Sequence, residues 1–446
     1  MSRRESPETL SGPAPSEAKD KDNYEVEVET KRADEKEKAE ADSAVPAFDF
    51  PDGGTRAWLV VLGTALSSTA SFGYVNSWGV FQSYYEKTLL QDLSPSTIAW
   101  IGSVQYSLVF LPALPIGRLF DLGYFRIPFL ISSAAIVVGA FLTGECTKYW
   151  QFMLCQGILQ GIACGCVFGP TMGVIGHWFK KKRGRAMGLT AIGSSVGGTI
   201  FPIASRRLIA QVGFPWTMRI LGFILLFCLA IPNITLARRL PPKNIKGGLF
   251  NLDAFKNPAF SFYTASSLVT FLGLYTVLTY IDVSAVSVGV SDDISFYLVS
   301  IANGSSGLGR LAAGLLVDRI GAINFIAPTT FLAGILTYAW PFAHSLGPLI
   351  AVAVIYGFMC GTYVSSFMIP LFEMGEIQDI GRRSGMVMTI GAIGALTGPP
   401  ISGAINNATG GFEKVGYYAG TMVIFSVVLM VASRHYILHG KLWGKA

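Results

Sequence analysis

The stretch GRLFDLGYFR at positions 117–126 has a near-repeat, GLLVDRIGAIN, at positions 314–324. Both contain the pattern G-x-L-x-D, and a further glycine follows the aspartate in each. Asp121 and Asp318 are 197 residues apart, and each lies after the second apolar segment of a block of six. Because a chance match at equivalent points of two blocks is improbable, the pattern indicates an internal duplication.

Apolar segments surround both copies of the pattern. A helix needs about 20 mainly apolar residues to cross the hydrocarbon core of a bilayer. Twelve such segments run over 57–81, 98–116, 127–146, 152–175, 186–209, 216–236, 259–283, 294–317, 323–342, 346–372, 384–406 and 415–436. The apolar runs are continuous rather than alternating, which excludes a transmembrane β-barrel. We therefore predict an all-α integral membrane protein with twelve transmembrane helices in two six-helix bundles.

The composition agrees with a membrane protein. Of the 446 residues, 51% are hydrophobic and 14% are charged, and the mean hydropathy is +0.48. Residues 51–446 hold 26 Lys/Arg and 14 Asp/Glu, about one charge in ten positions, which is too few to solvate a soluble surface. This excludes an ordinary soluble enzyme. The basic residues stand between apolar runs without forming a stripe, so we expect no nucleic-acid partner.

The first 50 residues differ in character, with 8 Lys/Arg and 14 Asp/Glu. Residues 25–43 contain almost no large apolar side chain, so they cannot bury enough surface to offset the loss of chain entropy. We predict a disordered cytosolic tail over 1–50, an N-terminal bundle over 51–236, a cytosolic linker over 237–258, and a C-terminal bundle with a short cytosolic tail over 259–446.

The distribution of Lys and Arg predicts the orientation. If both termini lie on one side, the loops and tail of that side after residue 51 collect 18 Lys/Arg, against 5 on the other. Basic residues are retained on the cytosolic side of membranes. We therefore expect a multi-pass protein, most simply of the plasma membrane, with both termini in the cytosol.

The sequence carries no pattern for metal or cofactor chemistry. The six cysteines lie in or beside apolar runs, and the four histidines are scattered. Buried cysteines of this kind fill helix packing. There is no phosphate-binding loop and no nucleophile elbow, so we expect no cofactor, no metal and no enzymatic activity.

The duplicated pattern resembles the cytosolic signature of the major facilitator superfamily. The resemblance implies the major facilitator fold and a conformational latch that favours the outward-facing state. It assigns the latch to Gly117, Arg118, Asp121, Gly123, Gly314, Asp318 and Arg319. A purely structural turn is the alternative.

Other stretches resemble the monocarboxylate porter family, in particular its fungal members. They are Asp52–Trp58 (DGGTRAW), Tyr74–Phe81 (YVNSWGVF), His177–Gly188 (HWFKKKRGRAMG), Ser384–Met386 (SGM) and Gly398–Gly403 (GPPISG). The resemblance covers about residues 51–440 and implies a secondary transporter.

Arg310 lies in the middle of the eighth segment, where an ionised side chain costs about 2.5–3.5 kcal/mol. A guanidinium can hold a carboxylate through two parallel hydrogen bonds. The resemblance implies that Arg310 takes part in anion binding; an interhelical clamp is the alternative. The family's membrane aspartate and lysine are replaced by Ser306 and Asn76, which weakens the expectation of simple lactate–proton symport.

Further polar side chains within the segments are candidates for the substrate cavity. They are Tyr74, Asn76, Tyr106, Gln156, Gln160, Asn303 and Tyr363. Hydrogen bonding between helices, without substrate contact, is an equal alternative for each. Asn407 begins a weak N-glycosylation sequon at the end of the eleventh segment.

From the sequence we expect a transporter that moves a small organic acid or related metabolite by alternating access. The alternatives are an efflux pump for a secondary metabolite and, in a different class, a nutrient sensor that does not transport. The expected partners are a small-molecule substrate, a proton as candidate coupling ion, and the lipid bilayer. We expect a monomer, with an accessory membrane subunit left open.

Overall fold

The computed structural model describes residues 50–242, 248–441 and 443–445. The predicted disordered tail lies outside the described residues except for Phe50, and so do residues 243–247 of the predicted linker. All regular structure in the described part of the chain is helical.

Helices α1–α4 are Gly54–Leu89, Thr97–Asp121, Arg126–Gly144 and Tyr149–Trp178. The next helix, Arg183–Thr235, is continuous in hydrogen bonding but is interrupted at Gly213, whose φ of 77° is not helical. Because an L-residue with a side chain rarely adopts this φ, glycine creates the corner that divides α5 (183–212) from α6 (214–235). Helices α7–α12 are Pro258–Ser287, Asp292–Ile320, Ala322–Phe342, Leu346–Phe372, Ile377–Thr409 and Glu413–Ile437. A short 3₁₀ turn, Leu252–Lys256, lies between α6 and α7.

Ten of the described helices are long and apolar enough to cross a membrane, with α5 and α6 counted together. The remaining helix is α8, which is more polar because it carries Asn303, Arg310 and Asp318. The predicted fold of twelve transmembrane helices is confirmed.

The duplication extends to bends within the helices. Helix α1 contains a π-helical turn at Thr69–Gly73 and then breaks at residues 76–77. Helix α7 breaks at residues 274–275, which is 198 residues later. Such irregular turns are often found at functional sites. The two first helices of the repeats therefore bend at equivalent positions.

Helices pack within two groups of six, and two close crossings provide most of the contact between the groups. Helix α2 crosses α11, and α5 crosses α8. A Cβ added at Gly117 would lie 2.7 Å from the carbonyl carbon of Gly381. At the second crossing, a Cβ on Gly188 would lie 2.8 Å from Cα of Gly314. Glycine is required at these crossings because the backbones touch.

We predict that Gly188→Val lowers the stability of the purified protein by about 1–3 kcal/mol, the usual cost of overpacking a close contact. Thermal unfolding in detergent measures the effect. The control is Gly304→Val in α8, where an added Cβ meets nothing within 4 Å. Equal unfolding temperatures for the two variants would show that α5 and α8 do not approach this closely.

Candidate functional site

A cavity of about 990 Å³ lies between the two groups of helices. Its lining comes from both, and it extends from Arg310 to the exposed side chains of Lys87 and Thr88 at the end of α1. Neither Gly117 nor Gly188 belongs to its lining. Pockets of about 300–1,000 Å³ accommodate whole organic ligands.

Arg310 lies at the inner end of this cavity and is 7% exposed. Its Nη1 donates to the carbonyl oxygen of Ala191 at 2.5 Å and to the hydroxyl of Ser194, both on α5. Its Nε donates to Ser306 Oγ at 3.2 Å. No carboxylate forms an ion pair with Arg310 in the described part of the chain. The guanidinium therefore bridges the two groups of helices and retains an uncompensated charge beside the cavity.

Three further predicted residues line the same cavity: Asn76, Tyr106 and Asn303. The amide of Asn303 donates to the carbonyl oxygen of Gly198 at 3.5 Å. Asn76 lies against the same glycine, since a Cβ added at Gly198 would be 2.7 Å from Asn76 Nδ2. The break in α1 thus brings an amide from one half beside an amide from the other.

The two predicted glutamines do not line the cavity. Gln156 Oε1 accepts a hydrogen bond from Tyr85 Oη at 2.5 Å, and Gln160 Nε2 donates to the carbonyl oxygen of Ile136 at 2.9 Å. Both are buried on the face of α4 that packs against its own bundle. Gln156 therefore contacts α1 and Gln160 contacts α3, both inside the N-terminal bundle.

Two predicted tyrosines also lie away from the cavity lining. Tyr74 is buried, with its ring 6.1 Å from that of Phe81 and 6.4 Å from that of Phe201. Tyr363 is buried with its ring 5.7 Å from Phe367. These two rings fill the interiors of their bundles. Neighbouring residues of the same helices face the cavity instead.

Sequence reasoning did not single out most of the aromatic and charged lining. The additional side chains include Phe72, Trp78, Lys87, Trp100, Phe168, Arg206 and Phe296. The guanidinium of Arg206 lies over the ring of Phe296, 4.8 Å from its centroid, so α5 and α8 also meet near the cavity mouth. An aromatic residue in an apolar segment looks the same whether it faces a cavity or a neighbouring helix.

The end of the molecule that carries the duplicated pattern, which we call the latch end, is closed by two carboxylates. Asp121 accepts hydrogen bonds from the backbone N–H groups of Gly381 (3.1 Å) and Arg382 (2.8 Å) in the first turn of the α-helical part of α11. Asp318 accepts them from Gly184 (2.6 Å) and Arg185 (3.1 Å) in the first turn of α5. Helix N-termini carry partial positive charge and unpaired N–H groups.

The other predicted latch residues differ in their surroundings. Gly117 and Gly314 provide the backbone crossings, and Gly123 has a φ of 105° that favours glycine. Arg118 is half-buried, whereas Arg319 is exposed.

Buried arginines reinforce the latch end. Arg382 Nε donates to Asp379 Oδ1 at 2.6 Å, and Arg383 donates to the backbone oxygens of Leu371 and Glu376. The carboxylate partner of both arginines is Asp379, one turn away on the same helix.

Arg238, which follows α6, adds charge at the same place. Its guanidinium lies 4.9 Å from the ring centroid of Phe120, and its Nη2 donates to the backbone oxygen of Asp121. Burial lowers the pKa of Arg238, and the Asp121 carboxylate opposes that shift.

The motif Asp52–Trp58 also accepts hydrogen bonds from backbone groups. Asp52 Oδ1 accepts hydrogen bonds from the N–H groups of Lys180, Lys181 and Lys182 at 2.7–3.0 Å. The start of the described chain is thereby fixed to the loop between α4 and α5. Asn407 is exposed in the last turns of α11.

The sequence matches the Major Facilitator Superfamily over residues 60–369 and 287–437. The chain belongs to this superfamily. It is a transporter of the major facilitator superfamily. The major facilitator fold accounts for its twelve helices, its duplicated pattern and the cavity between its two bundles.

Several similar proteins are fungal transporters. The MFS transporter asaE of Aspergillus flavus is 39% identical over 388 residues, which cover 86% of this chain and 88% of that protein. The aspyridones efflux protein apdF of Emericella nidulans is 37% identical, covering 86% and 79%. The fujikurins efflux protein of Gibberella fujikuroi is 36% identical, covering 89% and 86%.

Two solved structures share the fold of this major facilitator. The human organic anion transporter MFSD10 has a TM-score of 0.68 at 15% identity, covering 85% of this chain and all of its own. The transporter FucP, in an outward conformation, has a TM-score of 0.67 at 14% identity, covering 85% and 98%. At these identities the likeness concerns the fold alone.

We predict that Arg310→Ala reduces transport of an anionic substrate at least tenfold, since it removes a buried cation beside the cavity. Flux in reconstituted vesicles measures the change. Arg219→Ala is the matched control, because Arg219 pairs with Glu145 at the surface and is absent from the cavity lining. If Arg310→Ala transports normally, Arg310 serves only as a clamp between α5 and α8.

We predict that Asp121→Asn and Asp318→Asn each slow turnover about 5–30-fold while substrate affinity changes less than twofold. Each loses a charge at a helix N-terminus, worth up to about 2 kcal/mol in a partly buried setting, and neither lines the cavity. Turnover and equilibrium binding are measured on the same preparations.

Asp253→Asn is the control for this pair, because Asp253 forms an exposed ion pair with Lys256 and takes no part in the described hydrogen bonds of Asp121 and Asp318. A large loss of binding with normal turnover would contradict the assignment of the two aspartates to the latch.

Proposed function

We propose that this transporter exports an anionic secondary metabolite, and that Arg310 holds the acidic group during transport. The observation that carries the proposal is a buried guanidinium at the inner end of a large cavity, with no carboxylate ion-pair partner among the described residues.

The hydrogen bonds of Arg310 explain why an anion fits. Its described partners are a backbone oxygen and two hydroxyls, which satisfy N–H groups but supply no negative charge. A charge held in a low-dielectric site is costly unless it is paired. A substrate carboxylate, enolate or sulfonate would supply the missing charge and displace part of these neutral contacts.

The size of the cavity favours a bulky substrate. At about 990 Å³ it is far larger than a two- or three-carbon acid needs, so such an acid would contact one wall only. Two of the similar fungal proteins are named for the efflux of aspyridones and fujikurins. These names support export of a metabolite over uptake of a short organic acid.

The finer family assignment is also part of the proposal. The stretches Asp52–Trp58 and His177–Gly188 support a place near the monocarboxylate porters. Ser306 and Asn76 replace the acidic and basic residues of that family's animal members, so we propose a relative with altered substrate and ion coupling.

We further propose that the two bundles, 51–236 and 259–446, rock about the cavity to give alternating access. We assign the latch end to the cytosol, because the predicted topology places 18 Lys/Arg on that side against 5 on the other. In this assignment the described conformation is outward-facing, and residues 1–50 and 237–258 are cytosolic. We also propose that the chain is a monomer of the plasma membrane.

The test compares metabolites inside and outside cells with and without the protein, followed by flux of the candidate compound in vesicles. We expect the compound to accumulate inside cells that lack the protein and to leave vesicles that contain it. Accumulation of the compound inside protein-containing cells would instead favour uptake of an organic acid. Ligand binding without flux would favour the sensor.

The vesicle assay also addresses coupling. Asp282, near the mouth, is the only carboxylate residue among the described side chains that line the cavity. We therefore expect flux of a permanently ionised substrate to respond weakly to an imposed pH gradient. Steep gradient-driven transport would instead make Asp282 the residue to replace.

A further inference from the structure

The indole of Trp78 is fixed on the wall of the cavity. It follows the break in α1 directly and is partly exposed to the cavity. Its Nε1 donates to Gln82 Oε1 at 2.8 Å, and Gln82 Nε2 donates to Glu86 Oε1 at 2.8 Å. This chain along one face of α1 fixes both the amide and the ring.

The same ring is held from α2. A Cβ added at Gly102 would overlap the five-membered ring of Trp78, so the indole rests directly on the glycine backbone. The indole also contacts the ring of Tyr85, with 6.1 Å between the ring centroids and 65° between the ring planes. Because these contacts already restrict the rotamer, binding a ligand on the free face costs little further side-chain entropy.

The distance from Trp78 to Arg310 follows from α8. Asn303 precedes Arg310 by seven residues, about 10 Å along the helix axis, and the Arg310 guanidinium reaches back one turn to Ser306 Oγ. Asn76 meets Asn303 across Gly198, and Trp78 lies two residues further toward the mouth. A molecule that reaches both Arg310 and Trp78 must therefore be elongated, at about 10 Å.

We propose that Trp78 is the ring-binding platform of the transport site, and that the substrate is an elongated acid with a planar ring about 10 Å from its acidic group. This inference rests on the proposed binding of an anion at Arg310. The acidic group meets the guanidinium, the middle of the molecule passes the amides of Asn76 and Asn303, and the ring stacks on the indole.

The test uses three acids on the full-length protein purified in detergent: 6-phenylhexanoate, 6-cyclohexylhexanoate and hexanoate. The first two share length and charge but differ in the π face of the ring; the third lacks the ring. Isothermal titration calorimetry measures each affinity. We expect the phenyl acid to bind about fivefold more tightly than the cyclohexyl acid, and hexanoate to bind most weakly.

Variants test the role of the indole. Trp78→Leu should abolish the preference for the phenyl acid, whereas Trp78→Phe should retain most of it. Gly102→Ala keeps the indole but displaces it, and should also reduce the preference. Trp150→Leu is the control, because Trp150 is exposed on α4 and absent from the cavity lining. A purely structural role for Trp78 would weaken all three acids equally.

The outcomes separate this inference from the proposed function. Equal binding of the phenyl and cyclohexyl acids by the wild-type protein, or an unchanged preference in Trp78→Leu, overturns the platform and leaves the anion site intact. Binding of none of the three acids overturns the anion site, and the platform with it.

Discussion

Each half of the molecule donates backbone N–H groups to a carboxylate of the other half. Asp121 receives them from the start of α11, and Asp318 from the start of α5. A carboxylate at a helix N-terminus satisfies donors that have no partner inside the helix and meets the positive end of the dipole. Because both contacts lie at one end, that end is closed and the space between the halves widens toward the other.

The position of Arg310 depends on this closure. Its helix, α8, ends at the latch end and contacts α5 through glycine, so its guanidinium reaches the α5 backbone and the cavity together. The contact between the halves and the proposed substrate contact are therefore compatible roles for one side chain. An anion that draws the guanidinium away from Ala191 would weaken a bond between the halves and so favour their separation at this crossing. Ligand occupancy and conformation are linked whenever a ligand interacts differently with the two states.

The sequence predicts the fold well because membrane insertion imposes a long apolar run on each helix, and the duplicated pattern reports the repeat directly. The latch carboxylates could be identified for the same reason, since Asp121 and Asp318 stand out in a sparsely charged chain. The cavity lining was harder to predict. Gln156 and Gln160 share a helix face with each other, but hydropathy does not tell which face is turned to the cavity. In the sequence, Trp78 likewise looks like any aromatic residue that packs between helices. Its contact with Gly102 is visible only in the structure.

The corner at Gly213 has a mechanical consequence. Helices α5 and α6 meet there at one non-helical residue, without a flexible connection between them. A single residue leaves the two helix ends no room to separate, so a tilt of α5 at its crossing with α8 would displace the adjoining end of α6. The large apolar side chains exposed along α6, such as Phe223 and Phe227, would then shift against the lipid. In that case the stiffness of the surrounding bilayer would contribute to the work of each transport cycle.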